Sequence, residues 1–342
     1  MTTPATMRAV HYSRYGGPEG MTLGPIPIPE PRAGEVRIRV RAASLNPYDW
    51  HIYRGDPYLA RLMFGPLRPG HRVLGADVSG HVDAVGEGVT EFATGEAVYG
   101  SIGRGACGEY AVAPVTSLAL KPLKATFEQA AALPMATITA LQGLRAARIG
   151  QGSRVLVIGA SGGVGHLAVQ IARILGAERV VAVCSGRNAE WVVALGADRV
   201  IDYTTQSVLD AQERFDVIFD TVATTPLGRL RAVMSRDGVY VPVGGVQRGG
   251  PLGPAVPIFS AVAAGRLLRR KVVQFTASIN AADLEEAARW VDQGLLTPTI
   301  DTVYPLERFV DALTKLEGQH AAGKLVVTVA AHHPAGKVPM QA

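Results

Sequence analysis

The stretch from Arg154 to Arg187 constrains this chain more than any other, because it reads as a buried strand, a glycine turn, a helix and a second buried strand. Val155-Leu-Val-Ile158 and Val180-Val-Ala-Val183 are short, continuous apolar runs rich in β-branched residues, the pattern of strands covered on both faces. Between them a glycine-rich turn opens an apolar helical run from Gly163 to Leu175. Such a unit seats a dinucleotide. Set on the fingerprint G-x-G-x-x-G, the residues are Ala160, Ser161, Gly162, Gly163, Val164 and Gly165, with alanine in the first glycine's place. Gly162 lets the backbone approach a pyrophosphate, Gly165 lets the helix sit close on the strand, and the amides at the helix N-terminus face the anion. A tight turn without a ligand is the structural alternative.

The end of the second strand indicates which dinucleotide is expected. NAD-binding proteins commonly place Asp or Glu there for the ribose 2′-hydroxyl, whereas this chain offers Cys184, Ser185 and Arg187. A guanidinium and a hydroxyl suit a 2′-phosphate, so the expected cofactor is NADPH. Tyr203, just past the following strand, is a candidate to flank the same phosphate, with half-buried packing as its alternative role.

A chain of 342 residues, 48% hydrophobic and 18% charged, exceeds one compact core, so two domains are expected. Up to about Leu120, short β-like runs such as Val36-Arg-Ile-Arg-Val-Arg41 alternate with Gly and Pro turn signals and predict a β-barrel. From about Thr126 helices alternate with buried strands. Phe127 to Arg148 reads as a helix, Asn188 to Leu195 as another, and Arg199 to Asp202, Phe215 to Asp220 and Gly238 to Val243 as strands. That alternation predicts an α/β fold with a doubly wound parallel sheet. After about Pro298 the pattern returns to short mixed elements ending in Lys324-Leu-Val-Val-Thr-Val329, which is expected to rejoin the first domain. The expected division is therefore residues 1–126 and 298–342 for one domain and 127–297 for the dinucleotide domain.

No uninterrupted apolar run of about 18 residues appears, and the first residues lack a signal-peptide pattern, so a soluble, cytoplasmic chain without a membrane partner is expected. Two cysteines, Cys107 and Cys184, exclude a four-cysteine zinc cage. The net charge of +5 is scattered apart from Arg266 to Lys271, and this argues against nucleic acid as a partner.

Ser44-Leu-Asn-Pro-Tyr-Asp-Trp50, Gly75-Ala-Asp-Val-Ser-Gly80, Leu133-Pro-Met-Ala-Thr-Ile-Thr-Ala140, Ala160 to Gly165 and Gly323-Lys-Leu-Val-Val327 together resemble successive landmarks of the medium-chain dehydrogenases/reductases. The resemblance spans residues from about 7 to 329 and is nearest to the zinc-independent quinone oxidoreductase and alkenal (enone) reductase branch. It implies a GroES-like β-barrel domain with a Rossmann domain inserted before the final segment, and a homodimer. Zinc enzymes of this fold carry a Cys where Asn46 stands and a His-Glu pair where Ala76-Asp77 stands, so the ligand set is missing and no metal is expected. His51, His71 and His81 lack metal-ligand spacing and read as surface or hydrogen-bonded histidines.

Reduction without a metal relies on placement and hydrogen bonding. The acceptors implied are the C=C bond of an α,β-unsaturated carbonyl or a quinone. The resemblance puts Asn46 near the nicotinamide ribose and the reacting oxygen, with a helix-capping role as its alternative. Tyr58 is a candidate to contact substrate or supply a proton, against a role as an aromatic lid. Thr139 matches the helix start near the nicotinamide and pyrophosphate, Val243, Gly244 and Gly245 the crossing behind it, and Lys324 the closing Gly-Lys pair that reaches a phosphate, with a plain turn for the two glycines and a solvated charge for Lys324 as the structural alternatives. The loops around Tyr48 to Leu67 and Gly249 to Ser260 are expected to set specificity. A carbonyl reductase or alcohol dehydrogenase, and an NADPH-binding protein with a structural or nucleic-acid-associated role, are the alternatives.

Overall fold

A strand whose side chains alternate must leave one face to water, and Glu35–Leu45 does so by burying Val36, Ile38 and Val40 while Arg39 and Arg41 stay exposed. In the computed structural model, which describes residues 5–56, 58, 61–70, 73–244, 255–319 and 321–329, that strand organises the first sheet. A hairpin of β1 (Thr6–His11) and β2 (Thr22–Pro27) precedes it. The long strand is β3 (Glu35–Leu45), followed by β4 (Asp77–Val85), β5 (Ala97–Ser101), β6 (Tyr110–Pro114) and β7 (Leu118–Leu120).

The second sheet comprises β8 (Arg154–Ile158), β9 (Arg179–Cys184), β10 (Arg199–Asp202), β11 (Phe215–Asp220), β12 (Met234–Pro242) and β13 (Lys271–Val272). Its pairings are parallel and its order is β10-β9-β8-β11-β12-β13. The chain then returns through β14 (Ile300–Pro305) and β15 (Lys324–Thr328) to the first sheet, whose order is β14-β15-β3-β4-β5-β7, with β6 also on β3. β15 lies antiparallel to β3, Leu325 opposite Leu45.

The parallel sheet is covered on both faces, as its continuous apolar runs require. Val155, Val157, Ala182, Val217 and Phe219 join one buried cluster, while Leu156, Val181, Val183 and Ile218 join another on the opposite side. Full burial contributes about 1.5–3 kcal/mol per Val, Leu, Ile or Phe side chain, which is why both faces must be roofed. A separate core fills the barrel around Ile38, Trp50, Val78, Val98 and Leu325.

The continuous helix read from Phe127 to Arg148 is two helices, Phe127–Ala131 and Pro134–Ala146. Pro134 has no N–H to give the first helix, so the chain breaks there and restarts with proline at the first position. The helix of the glycine unit is Gly165–Ile174, and a single 3-10 turn at Gly186–Asn188 precedes Ala189–Ala194. Residues 255–260 of the expected specificity loop Gly249 to Ser260 belong to the helix Ala255–Leu268. Among the described residues no helix is long and apolar enough to cross a membrane.

Candidate active site

The strand order reverses between β8 and β11, and in open α/β sheets the crevice at such a reversal, beyond the carboxyl ends of the strands, is where ligands bind. β8 runs into the glycine turn there. Gly159, one residue before the fingerprint, takes the left-handed conformation at φ +79°, and a Cβ on it would stand 2.2 Å from Thr221 Oγ1 at the end of β11. The tight turn thus uses Gly159, which is why alanine is tolerated at position 160. At Gly165 an added Cβ would stand 2.1 Å from Gly159 O, so the helix can approach the strand only with glycine there. Gly162 would meet only Gly159 O, at 3.3 Å.

Val164 opens the helix without a side-chain cap, while within the first turn His166 N–H is taken by Gly162 O at 3.2 Å and Ala168 N–H by Val164 O at 3.0 Å. His166 holds the turn from beneath. Thr299 N–H donates to Nε2 at 3.0 Å, so the ring proton sits on Nδ1, 2.9 Å from Gly162 O. Burial pulls this imidazole down to about 4, which keeps it neutral. Gln170 adds bonds to Thr297 O and from Thr297 N–H, and Gly323 N–H donates to Ser161 O at 2.9 Å.

At the end of β9, Ser185 Oγ accepts from Asn188 Nδ2 at 3.0 Å, leaving its own proton to donate elsewhere. Arg187 is exposed and makes no hydrogen bond or ion pair among the described residues. Tyr203 is 61% exposed, and its N–H bonds Cys184 O, which brings its ring to the same end of the sheet. Val243 N–H donates to Asp220 O, and a Cβ on Gly244 would lie 3.4 Å from Thr221 O, so both flank the strand reversal. Gly245 lies outside the described residues, as does His71. An uncapped helix terminus, an open glycine, a hydroxyl donor and an unpaired guanidinium fit a dinucleotide carrying several phosphates.

Against the glycine turn lies a buried polar cluster. Asn46 caps the helix Pro47–Arg54, with its N–H donating to Asp49 Oδ2 at 2.7 Å. Its side chain turns inward, where Nδ2 donates to Asp77 Oδ2 at 2.9 Å and Oδ1 accepts from Lys324 Nζ at 2.5 Å. The capping and the inward-facing roles therefore coexist in one residue. Lys324 is 3% exposed, and its ammonium also donates to Leu45 O at 3.2 Å. Lys324, which the resemblance sets toward a phosphate, has its ammonium turned into this cluster. Its charge is spent in the interior, and only its aliphatic stem meets the glycine turn, Cδ lying 3.1 Å from where a Gly163 Cβ would be.

Burial pushes the Asp49 carboxyl up to about 7, with the neighbouring Asp77 adding to the rise and the Asn46 N–H and Lys324 opposing it. Burial also raises Asp77 and lowers Lys324, each held back by the charge of the other. Thr139, half-buried in the helix Pro134–Ala146, donates to Met135 O at 2.7 Å, while Met135 N–H points at Asp77 from 3.3 Å. Tyr58 is not brought to this cluster: 57% exposed, its ring lies under Arg61, which also covers Tyr15.

Sequence reasoning passed over Asp49, His166 and Asp220, and gave Asp77 no role. Asp220 Oδ1 accepts the N–H groups of Val222 and Ala223, and Oδ2 accepts from Tyr240, which shapes the loop after β11. A charged residue inside an apolar run, as in Phe215-Asp-Val-Ile-Phe-Asp220, was the available signal for it. His51 Nδ1 lies 2.7 Å from Asp56 O and His81 stacks on Phe127. Among the described residues no three His, Cys, Asp or Glu side chains converge as a metal-ligand group.

Two family models match the chain: the alcohol dehydrogenase GroES-like domain over residues 32–132, and the zinc-binding dehydrogenase over residues 195–327. The chain is 34% identical to the chloroplast envelope quinone oxidoreductase homolog of Arabidopsis thaliana, over 94% of this chain and 98% of that protein. It is 33% identical to the NADPH-dependent alkenal/one oxidoreductase of the same plant, over 95% of this chain and 80% of that one. The solved quinone oxidoreductase of Coxiella burnetii superposes with a TM-score of 0.82 at 30% identity, covering 95% of this chain and 100% of its own. The fold, the strand-reversal crevice and these similarities agree: the chain belongs to the medium-chain dehydrogenase/reductase family of oxidoreductases, with quinone and alkenal/one oxidoreductases among its relatives.

Proposed function

We propose that this protein is an NADPH-dependent reductase of α,β-unsaturated carbonyls or quinones that works without zinc. The observation that carries the reading is the Asn46, Asp77 and Lys324 cluster, which fills the two segments where zinc relatives keep their ligands. An ammonium already balances the only carboxylate at those two positions, so a divalent cation there would meet a like charge and too few ligands. When bound, the dinucleotide would supply a hydride to an electrophilic carbon.

The residues of the chain supply placement. The amides opening Gly165–Ile174, with Ser161, Gly162, Gly163 and Val164, would hold the pyrophosphate. Ser185 and Arg187 would hold the 2′-phosphate, with Tyr203 covering it, and Thr139, Val243 and Gly244 would line the nicotinamide end. Asn46 differs from the role implied for it. Its Oδ1 faces Lys324 and its Nδ2 faces Asp77 and Ser44 O, so it fixes the floor of the site instead of offering a free donor to the reacting oxygen.

The division into residues 1–126 with 298–342 and residues 127–297 is supported by the membership of the two sheets. Pairing as a homodimer is supported by the short edge strand β13, whose outer backbone groups have no strand beside them among the described residues. Light scattering after gel filtration checks that pairing.

The activity test is oxidation of NADPH with an enone, a quinone and a simple ketone, with metal analysis of the same preparation. Turnover with the enone or quinone and substoichiometric zinc is expected. Reduction of the ketone alone, or zinc at one per chain, overturns the reading.

A further inference from the structure

Asp77 is where three separately encoded pieces meet. From β4 it accepts the Asn46 amide at 2.9 Å, faces the Met135 N–H at the start of the helix that carries Thr139, and lies 3.9 Å from Lys324 Nζ. Lys324, at the first position of β15, binds Asn46 Oδ1 and Leu45 O while its stem crosses Gly163, and its neighbour Gly323 bonds Ser161 O. The glycine turn, the Asn46 loop and the Thr139 helix are therefore tied through one ion pair that is buried at both ends.

The pair leaves the Asn46 amide a single orientation. Only its oxygen can accept from an ammonium, and only its NH2 can donate to a carboxylate. Rotating the amide by half a turn would set oxygen against carboxylate and NH2 against ammonium. The polar character extends sideways, because Ser44 and Ser101 flank Asp77 on β3 and β5 and both are fully or almost fully buried. An interior serving stability alone is better filled with apolar side chains, since a buried pair rarely repays its desolvation.

Resting on the reductase reading above, we propose that Asp77 and Lys324 are positioning residues of the reduction site. The pair locks the Asn46 amide in one orientation and holds the Thr139 helix and the glycine turn in register with it. The nicotinamide end and the phosphate end of the crevice are thereby set by the same buried contact.

The test compares K324M, D77N and the double variant in the full chain. Each single variant strands one buried charge and lowers Tm, whereas the double variant removes both charges and recovers Tm. Positioning predicts that the double variant, with its Tm recovered, keeps its KM for the acceptor within about threefold while kcat falls about 100-fold, the cost of a small misplacement at the reacting centre. Recovery of kcat together with Tm would show that the pair is only structural and would overturn the proposal.

A second readout needs no turnover. The Asn46 side-chain NH2 of the cofactor-free wild type should exchange slowly with solvent by NMR, and rapidly in the double variant. Rapid exchange in the wild type, or equal protection in both proteins, overturns the lock whether or not the variants fold well. If the wild type reduces no acceptor, the proposed function fails, and the amide measurement still decides this inference.

Discussion

The two walls of the crevice are built by opposite means. The dinucleotide wall is backbone and small residues: Gly159 and Gly165 make close approaches possible, the helix terminus is uncapped, and Arg187 stands in solvent. The facing wall is side chains and charge, with Asn46, Asp49, Asp77 and Lys324 all at or below 3% exposure. A wall of the first kind fails when volume is added, because a new Cβ has nowhere to go. The second kind fails when charge is removed, because the partner left behind is buried and uncompensated.

The most severe test of this contrast is Gly165→Val. Its side chain would begin 2.1 Å from Gly159 O, far inside contact distance, so the strand and helix must separate. Overpacking typically costs about 1–3 kcal/mol, and this contact is with backbone that cannot rotate away. Loss of NADPH binding and a lower Tm are expected by calorimetry, and wild-type binding would show that the turn has slack.

Arg187→Glu comes next. Exchanging a charge-assisted donor, worth about 1.5–3 kcal/mol, for a like charge should weaken NADPH binding by at least about 10-fold while NADH binding is nearly unchanged. Fluorescence titration of both nucleotides measures the ratio. An unchanged preference would remove the 2′-phosphate assignment.

The pH dependence separates the walls more finely. Asp49 is raised to about 7, so the folded state binds its proton more tightly than the unfolded chain does. Its stability contribution is full below the ordinary carboxylate range and is lost as pH rises towards about 7. His166 is lowered to about 4, so its contribution is present near neutrality and is lost as pH falls from the ordinary imidazole range. The two slopes oppose each other. Asp49→Asn should therefore remove the falling slope between about pH 4 and 7, a difference of order 1 kcal/mol per pH unit, readable by urea denaturation across pH. Parallel curves for variant and wild type would show that Asp49 titrates normally.

The smallest effect is expected at Tyr58→Phe. An exposed ring beneath Arg61 keeps its cation contact when the hydroxyl is lost, so kcat should change by less than about threefold. A loss of about 100-fold would restore Tyr58 as a proton donor and move the chemistry away from the buried wall.

What could be read from the sequence follows the same contrast. The glycine turn, the parallel strands and the Ser185 and Arg187 pair were legible because each is local: a turn needs small residues in a row, and a two-faced strand needs an apolar run. Even there the tight-turn residue was displaced by one, to Gly159, because φ is a property of the backbone and a repeated glycine pattern does not say which member is strained. The break at Pro134 was legible in principle and was overridden by the apolar period on either side of it. The buried cluster was not legible as a unit. Lys324 and Asn46 are 278 positions apart, and Asp77 is 31 beyond Asn46, so no window contains the pair that neutralises the carboxylate. Lys324 in a sequence is a surface charge by default, and only the fold reveals that it points inward.

The antiparallel union of β3 with β15 has a further consequence for how the chain is made. When a ribosome has emitted residues 1–126, the barrel still lacks the neighbour of its central strand, and β3 presents an open edge along Ala42–Leu45. The parallel sheet, drawn from the contiguous stretch 154–272, can close during synthesis, whereas the barrel must wait for residues 324–328. That strand brings Lys324 with it, so the neutralising charge beneath Asn46 arrives in the same step that closes the sheet, and a chain truncated before it would carry both an unpaired edge and an uncompensated carboxylate.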